Sequence, residues 1–172
     1  DGFKMTIHGP NDRYINDAKI AEALAQMLNR VGIDASVETM PKAVYFKRAS
    51  RGGPNKSPEF SFMLLGWGAG SGEASSPLKA LLHTYDKSKG LGAANRGRHT
   101  DAKVDALIQK ALATVDADAR GKLLAQATEK AVGENYGVIP MHYQVNTWAA
   151  KKGYSYLPRT DERTIVTGLS GS

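Results

Sequence analysis

The sequence contains no cysteine, which excludes disulfides, thiolate metal sites and thiol catalysis. It has no apolar run long enough to cross a bilayer as a helix. Its four histidines, His8, His83, His99 and His142, are far apart, and none is paired at the i, i+4 spacing of a helical metal site. No Gly-x-Ser-x-Gly elbow is present, so a serine hydrolase has no visible nucleophile. A P-loop is missing too, because Gly121-Lys122-Leu123 falls inside a helical pattern rather than at its start. Aromatics make up only 8% of the chain, and no helix-turn-helix or RNA-binding signature occurs. Internal repeats and low-complexity tracts are absent. The chain opens Asp1-Gly2-Phe3-Lys4 with no leader-like segment, as expected of a cytosolic protein, a processed one or a piece of a longer chain.

What is there fits one ordinary globular domain. The 172 residues suffice for a core. The net charge of +6 is scattered, with Lys42, Lys47, Arg48, Arg51 and Lys56 the densest group. Scattered cations of this kind solvate a surface, and nucleic acid is not an expected partner. The carboxylates Asp116 and Asp118, and the pair Asp161-Glu162, fall at a helix start and in the tail, where solvation accounts for them.

Along the chain, Phe3 to His8 alternates apolar and polar residues and reads as a strand. The turn cluster Gly9-Pro10-Asn11-Asp12 follows. A helix capped by Asn16 or Asp17 is expected next, with Ile20, Leu24, Met27, Leu28 and Val31 inward and Gly32 as its stop. Ile33 to Met40 alternates again, and Pro41 opens a short helix carrying Val44, Tyr45 and Phe46. After a Gly/Pro/Asn/Ser loop, Phe60 to Leu65 is a short apolar run and reads as a third, buried strand. The order β-α-β-α-β predicts a mostly parallel sheet.

The third strand runs into Gly66-Trp67-Gly68-Ala69-Gly70-Ser71-Gly72. Its spacing is wrong for a dinucleotide fingerprint. Such a loop is either a tight connection or a place where main-chain groups approach a ligand closely. Ser75 or Ser76 then caps a helix with Pro77 in its first turn. A polar loop spans Asp86 to Arg98. Two helices follow, the first with Val104, Leu107, Ile108, Ala111 and Val115 inward, the second starting near Asp116 with Leu123, Leu124, Ala127 and Ala131 inward. Val138 to Trp148 is strand-like, with Met141, Tyr143 and Val145 on one face and His142, Gln144 and Asn146 on the other. Pro140 places it at an edge or marks its start. From Gly153 to Ser172, including Thr160-Asp-Glu-Arg163, periodicity is weak.

Taken in order, Phe3–His8, Ile20–Leu28, Gly32-Ile33, the Trp67 loop, Asp105–Ile108 and Val138–Asn146 resemble the C-terminal lobe of the peptide/nickel (oligopeptide/dipeptide-binding, family 5) ABC-transporter substrate-binding proteins. The resemblance runs over nearly the whole chain. It implies an α/β fold, one lobe of a type II periplasmic binding protein: a β-α-β-α-β mostly parallel sheet, then a helix pair and a final strand. Residues 1–152 would form the C-terminal ligand-binding lobe, and 153–172 a tail packing on an absent N-terminal lobe that also carries the signal peptide. The implied partners are a peptide or other small polar solute, that N-terminal lobe and membrane permease subunits. The implied location is the periplasm, with no cofactor, no metal and no catalysis.

In peptide-binding relatives the tryptophan loop supplies an aspartate three residues later that pairs with the peptide's α-amino group. Here that place holds Gly70, and the nearest acid is Glu73. Where relatives carry a ligand-contacting tyrosine on the last strand, this chain has Gln144, with His142 on the same face. The resemblance therefore implies a ligand site of Trp67, Gly68, Ala69, Glu73, His142 and Gln144. Two other classes stay open: a free-standing α/β enzyme using the Gly66–Gly72 loop as an anion site, and an interaction module docking an acidic partner through its basic surface.

Overall fold

The computed structural model describes residues 2–159 and 161–171; Asp1, Thr160 and Ser172, named above, lie outside them. The chain divides into two compact units, Asp1–Ile139 and Pro140–Ser172.

In the first unit, β1 (Lys4–Pro10) pairs in parallel with β2 (Asp34–Met40), from Lys4 opposite Asp34 to Pro10 opposite Met40. The connection between them is α1 (Asp17–Arg30), so the unit opens with a βαβ crossover. Strand residues alternate faces. Ile7 packs with Ala21 and Ala25 of α1 and with Ala35 of β2. A second cluster joins Met40, Tyr45, Ala49 and Phe60. Tyr45 and Ala49 come from α2 (Lys42–Arg51).

The expected third strand is reduced to one parallel bridge, His8 with Met63. His8 N–H donates to the Phe62 carbonyl at 3.1 Å, and Leu64 N–H donates to the His8 carbonyl at 2.8 Å. The next ladder bond would need an N–H from Pro10, which has none. The Leu64 carbonyl accepts instead from the Tyr45 hydroxyl at 2.7 Å. Burial pushes the Tyr45 phenol pKa up, so it stays a neutral donor. The segment therefore lies beside β1 as a third parallel element with a side chain completing its hydrogen bonding.

The inward stripe of α1 differs from expectation. Ala21 and Ala25 are buried and Leu24 and Leu28 flank them, whereas Met27 and Val31 are exposed. Small residues let this helix sit close on the sheet, and the larger side chains ring the contact.

The rest of the first unit is helical. A turn at Ser75–Pro77 continues as a π-helical turn, Leu78–Leu82, here called α3. It packs with α4 (Ala102–Ala113) and α5 (Ala117–Thr128), which runs on as a π turn over Glu129–Glu134. Val104, Ile108, Ala111, Leu124, Ala127 and Ala131 form the shared core with Leu78 and Leu82. Asp101 caps α4 through the N–H groups of Lys103 and Val104, and Asp116 caps α5 through Ala119. Val115, expected inward, is 92% exposed, because α4 stops at Ala113 and Val115 falls in the link. The polar loop before α4 is packed: Leu91 and Asn95 are buried. The Asn95 amide donates to the carbonyls of His83 and His99, and its oxygen accepts the His99 N–H.

The second unit contains a small antiparallel pair, β3 (Tyr154–Tyr156) with β4 (Leu169–Gly171). Trp148 lies against Tyr156 at 5.7 Å and donates its indole N–H to the Thr164 hydroxyl at 2.9 Å. The expected strand over 138–148 does not form. Ile139, Met141, Tyr143 and Val145 are exposed, and no ladder partner lies beside the segment among the described residues. An extended chain becomes a strand only when a neighbour takes up its N–H and carbonyl groups.

Candidate functional site

The site is built where two parallel elements end. Beyond the carboxyl end of β1 the chain turns through Arg13 and Tyr14, and beyond segment 60–65 it enters Gly66-Trp67-Gly68. These two loops, with Phe46, Leu65 and Arg96, line an open pocket of about 360 Å³. The carboxyl ends of parallel strands are where α/β sheets receive ligands.

Each side of the pocket has an identifiable cause. Asp17 is buried at 3% exposure and does not cap α1 in the expected way. Its Oδ2 accepts the N–H groups of Arg13 at 2.9 Å and Tyr14 at 3.0 Å, and this holds the turn that brings both side chains to the pocket. Asn16, at the helix start, takes a left-handed φ of 58° and makes no side-chain cap. The Tyr14 hydroxyl then donates to the Gly66 carbonyl at 3.2 Å. A Cβ on residue 66 would lie 2.7 Å from the Tyr14 ring, so only glycine permits this approach.

Trp67 is 46% exposed and stands on the pocket wall. An aromatic of this size left half in solvent beside a concavity has apolar surface available to a ligand. Gly68 borders the pocket next to it. Ala69 is exposed, and its carbonyl accepts the Gly72 N–H at 2.9 Å, where Gly72 turns with φ of 74°. Neither the Gly68 nor the Ala69 N–H has a hydrogen-bond partner among the described residues.

Glu73 lies beyond this turn with both carboxylate oxygens engaged. Ser75 donates its hydroxyl to Oε1 at 2.7 Å, and Arg120 Nε donates to Oε2 at 2.9 Å. The Ser75 hydroxyl and then the Arg120 guanidinium hold its carboxyl below the usual range. Ser75, expected as a helix cap, is thus a donor to Glu73, and the pair with Arg120 ties the end of the loop to the start of α5.

His142 and Gln144 belong to the second unit. His142 is exposed. The Gln144 amide donates to Asn146 Oδ1 at 3.0 Å and reaches Glu162 Oε2 at 3.5 Å.

Three pocket residues, Tyr14 and the cations Arg13 and Arg96, escaped the sequence reading. The Arg96 guanidinium lies over the Phe46 ring, 5.4 Å from its centroid, and donates Nε to the Ser50 hydroxyl at 3.1 Å. Arg13 lies over Tyr14 at 5.0 Å. Neither arginine forms an ion pair among the described residues, and no carboxylate lines the pocket. No cluster of three metal-ligating side chains occurs among the described residues. No described helix is long and apolar enough to cross a membrane.

No protein-family model and no curated protein matches this chain. Solved structures do match. HbpA2 from Haemophilus parasuis superposes with a TM-score of 0.75 at 23% identity, over 99% of this chain and 32% of its own. NikZ from Campylobacter jejuni, in complex with Ni(L-His), gives 0.62 at 20% identity over 78% of this chain and 25% of its own. The ABC-transporter-associated periplasmic binding protein DppA from Helicobacter pylori, in complex with the peptide STSA, gives 0.61 at 25% identity over 74% and 23%. The chain thus has the α/β fold of one lobe of a periplasmic binding protein. It spans about a third or less of the length of these three neighbours.

Proposed function

We propose that these residues are the ligand-binding lobe of an extracytoplasmic receptor that delivers a peptide or other small polar solute to an ABC importer. The observation that carries the reading is Trp67, half exposed on an open pocket at the carboxyl ends of parallel elements. In this reading Trp67 stacks on the ligand, and the N–H groups of Gly68 and Ala69 donate hydrogen bonds to its acceptor atoms. His142 and Gln144 orient further polar groups from the last segment. Glu73 acts at one remove, bracing the loop through Arg120 rather than pairing with the ligand.

The partners that follow are a second, N-terminal lobe of the same chain, against which 153–172 packs, and permease subunits in the membrane. The place of action is the periplasm. The role is binding without turnover. Exposed apolar side chains over 139–145 support a covering surface of that kind.

The test is a titration of the intact protein, as its own organism makes it, with the solute that a native mass spectrum finds released on denaturation. Trp67→Ala should weaken binding at least about tenfold, the scale of losing a buried aromatic contact. Unchanged affinity would remove Trp67 from the site. A spectrum showing a species at this chain's 18.5 kDa with no adduct, together with turnover of a small anionic substrate, would instead favour an α/β enzyme using the Gly66–Gly72 loop.

A further inference from the structure

We infer that Arg96 makes the Trp67 pocket selective for an oxyanion, so that the end of the ligand received there carries a carboxylate or phosphate group; this rests on the receptor reading above. Three observations lead to it. First, Arg96 Nη1 is buried and has no hydrogen-bond partner among the described residues. Buried polar groups are nearly always paired, and one left bare on a charged side chain calls for a partner. Second, the guanidinium is already positioned. Phe46 supports its plane and Ser50 takes Nε, which leaves the rest of the fork to a ligand without the usual entropic penalty of ordering a long side chain.

Third, the charge is unbalanced. Two other arginines of the first unit are matched by carboxylates: Arg48 meets Glu38 and Glu59, and Arg120 meets Glu73. The pocket gathers two guanidiniums, Arg13 and Arg96, with no acid on its lining. A cationic ligand group would be repelled there, and the nearest acid of the loop, Glu73, is already occupied by Arg120 and Ser75. The arginine fork fits a planar carboxylate or a phosphate with two parallel hydrogen bonds.

The experiment compares N-acetyl-Ala-Ala with its C-terminal amide, and glutarate with inorganic phosphate, by tryptophan fluorescence on the intact, dialysed protein. The free acid should bind about tenfold or more tightly than the amide. Arg96→Gln should bring that ratio to about one, and Arg96→Lys, which keeps the charge but not the fork, should restore part of it. The ratio reads recognition and not folding, so it distinguishes a ligand contact from a structural role. Glutarate outcompeting phosphate assigns the site to carboxylates, and the reverse assigns it to phosphates. Equal binding of acid and amide, a ratio unmoved by Arg96→Gln, or no binding of any probe overturns the inference. Acid preference that persists in Trp67→Ala would leave the oxyanion site standing while removing the tryptophan wall from the receptor reading.

Discussion

The helix cluster around Ile108 and the segment around Tyr143 have similar apolar content and opposite fates. In α4 and α5, apolar residues recur at helical spacing, and Val104, Ile108, Ala111, Leu124, Ala127 and Ala131 all end up buried. In the second unit, Met141, Tyr143 and Val145 alternate as cleanly as any strand, yet Tyr143 is 97% exposed. No described residue of 140–171 is buried. The difference lies in who supplies the hydrogen bonds. A helix closes its own backbone bonds and then needs only an apolar neighbour. A strand needs another backbone beside it before its pattern can be used.

Three measurements sharpen this contrast. The largest effect is expected from Ile108→Ala, which opens a cavity in the one core shared by three helices. It should lower unfolding stability by about 2–5 kcal/mol, read from urea denaturation. A loss below about 1 kcal/mol would mean that the helix cluster is not the stabilising region.

A smaller effect is expected from Arg120→Gln, and it should depend on pH. Glu73 has its carboxyl pKa lowered in the fold, first by Ser75 and then by Arg120. A lowered folded pKa contributes stability above the ordinary carboxylate value of 4.5, and that contribution fades as pH falls through the folded value. The variant should therefore be less stable than the parent at pH 7, and the gap should close below pH 4.5. A gap that stays constant from pH 7 to pH 3 would show that the pair does not act through this charge.

The smallest effect belongs to Tyr143→Ser. With its ring in solvent, the change should leave stability within about 0.5 kcal/mol. A clear loss in the intact protein would reveal a surface that covers this segment.

Within the fold, the elements legible in advance were those whose information is local. The alternation in β1 and β2, the stop at Gly32 and the helix start near Asp116 each specify structure within a few residues. The inward face of α1 was less legible, because alanines carry little hydrophobic signal and the closeness of the sheet decided that Ala21 and Ala25 should meet it. The third strand was read from its apolar run, but its single bridge depends on Pro10 in a distant strand and on the Tyr45 hydroxyl.

The site divides in the same way. Trp67 was legible because a large aromatic among glycines is locally unusual. Arg13 and Arg96 were not, since each is one cation among many along the chain. The signal for the first of them was Asp17, an acid at a helix start that also follows a turn; its real partners are the Arg13 and Tyr14 N–H groups.

By itself, the sequence determined a parallel α/β beginning, a helix pair and a glycine-rich loop bearing one tryptophan, because backbone propensity, capping and periodicity act over short distances. Only the tertiary structure decided that Arg96 lies over Phe46 beside Trp67, that Glu73 is taken by Arg120, and that the apolar stripe of 139–145 stays exposed. Those outcomes depend on which distant groups the fold brings within hydrogen-bond and van der Waals range, and no local pattern encodes that.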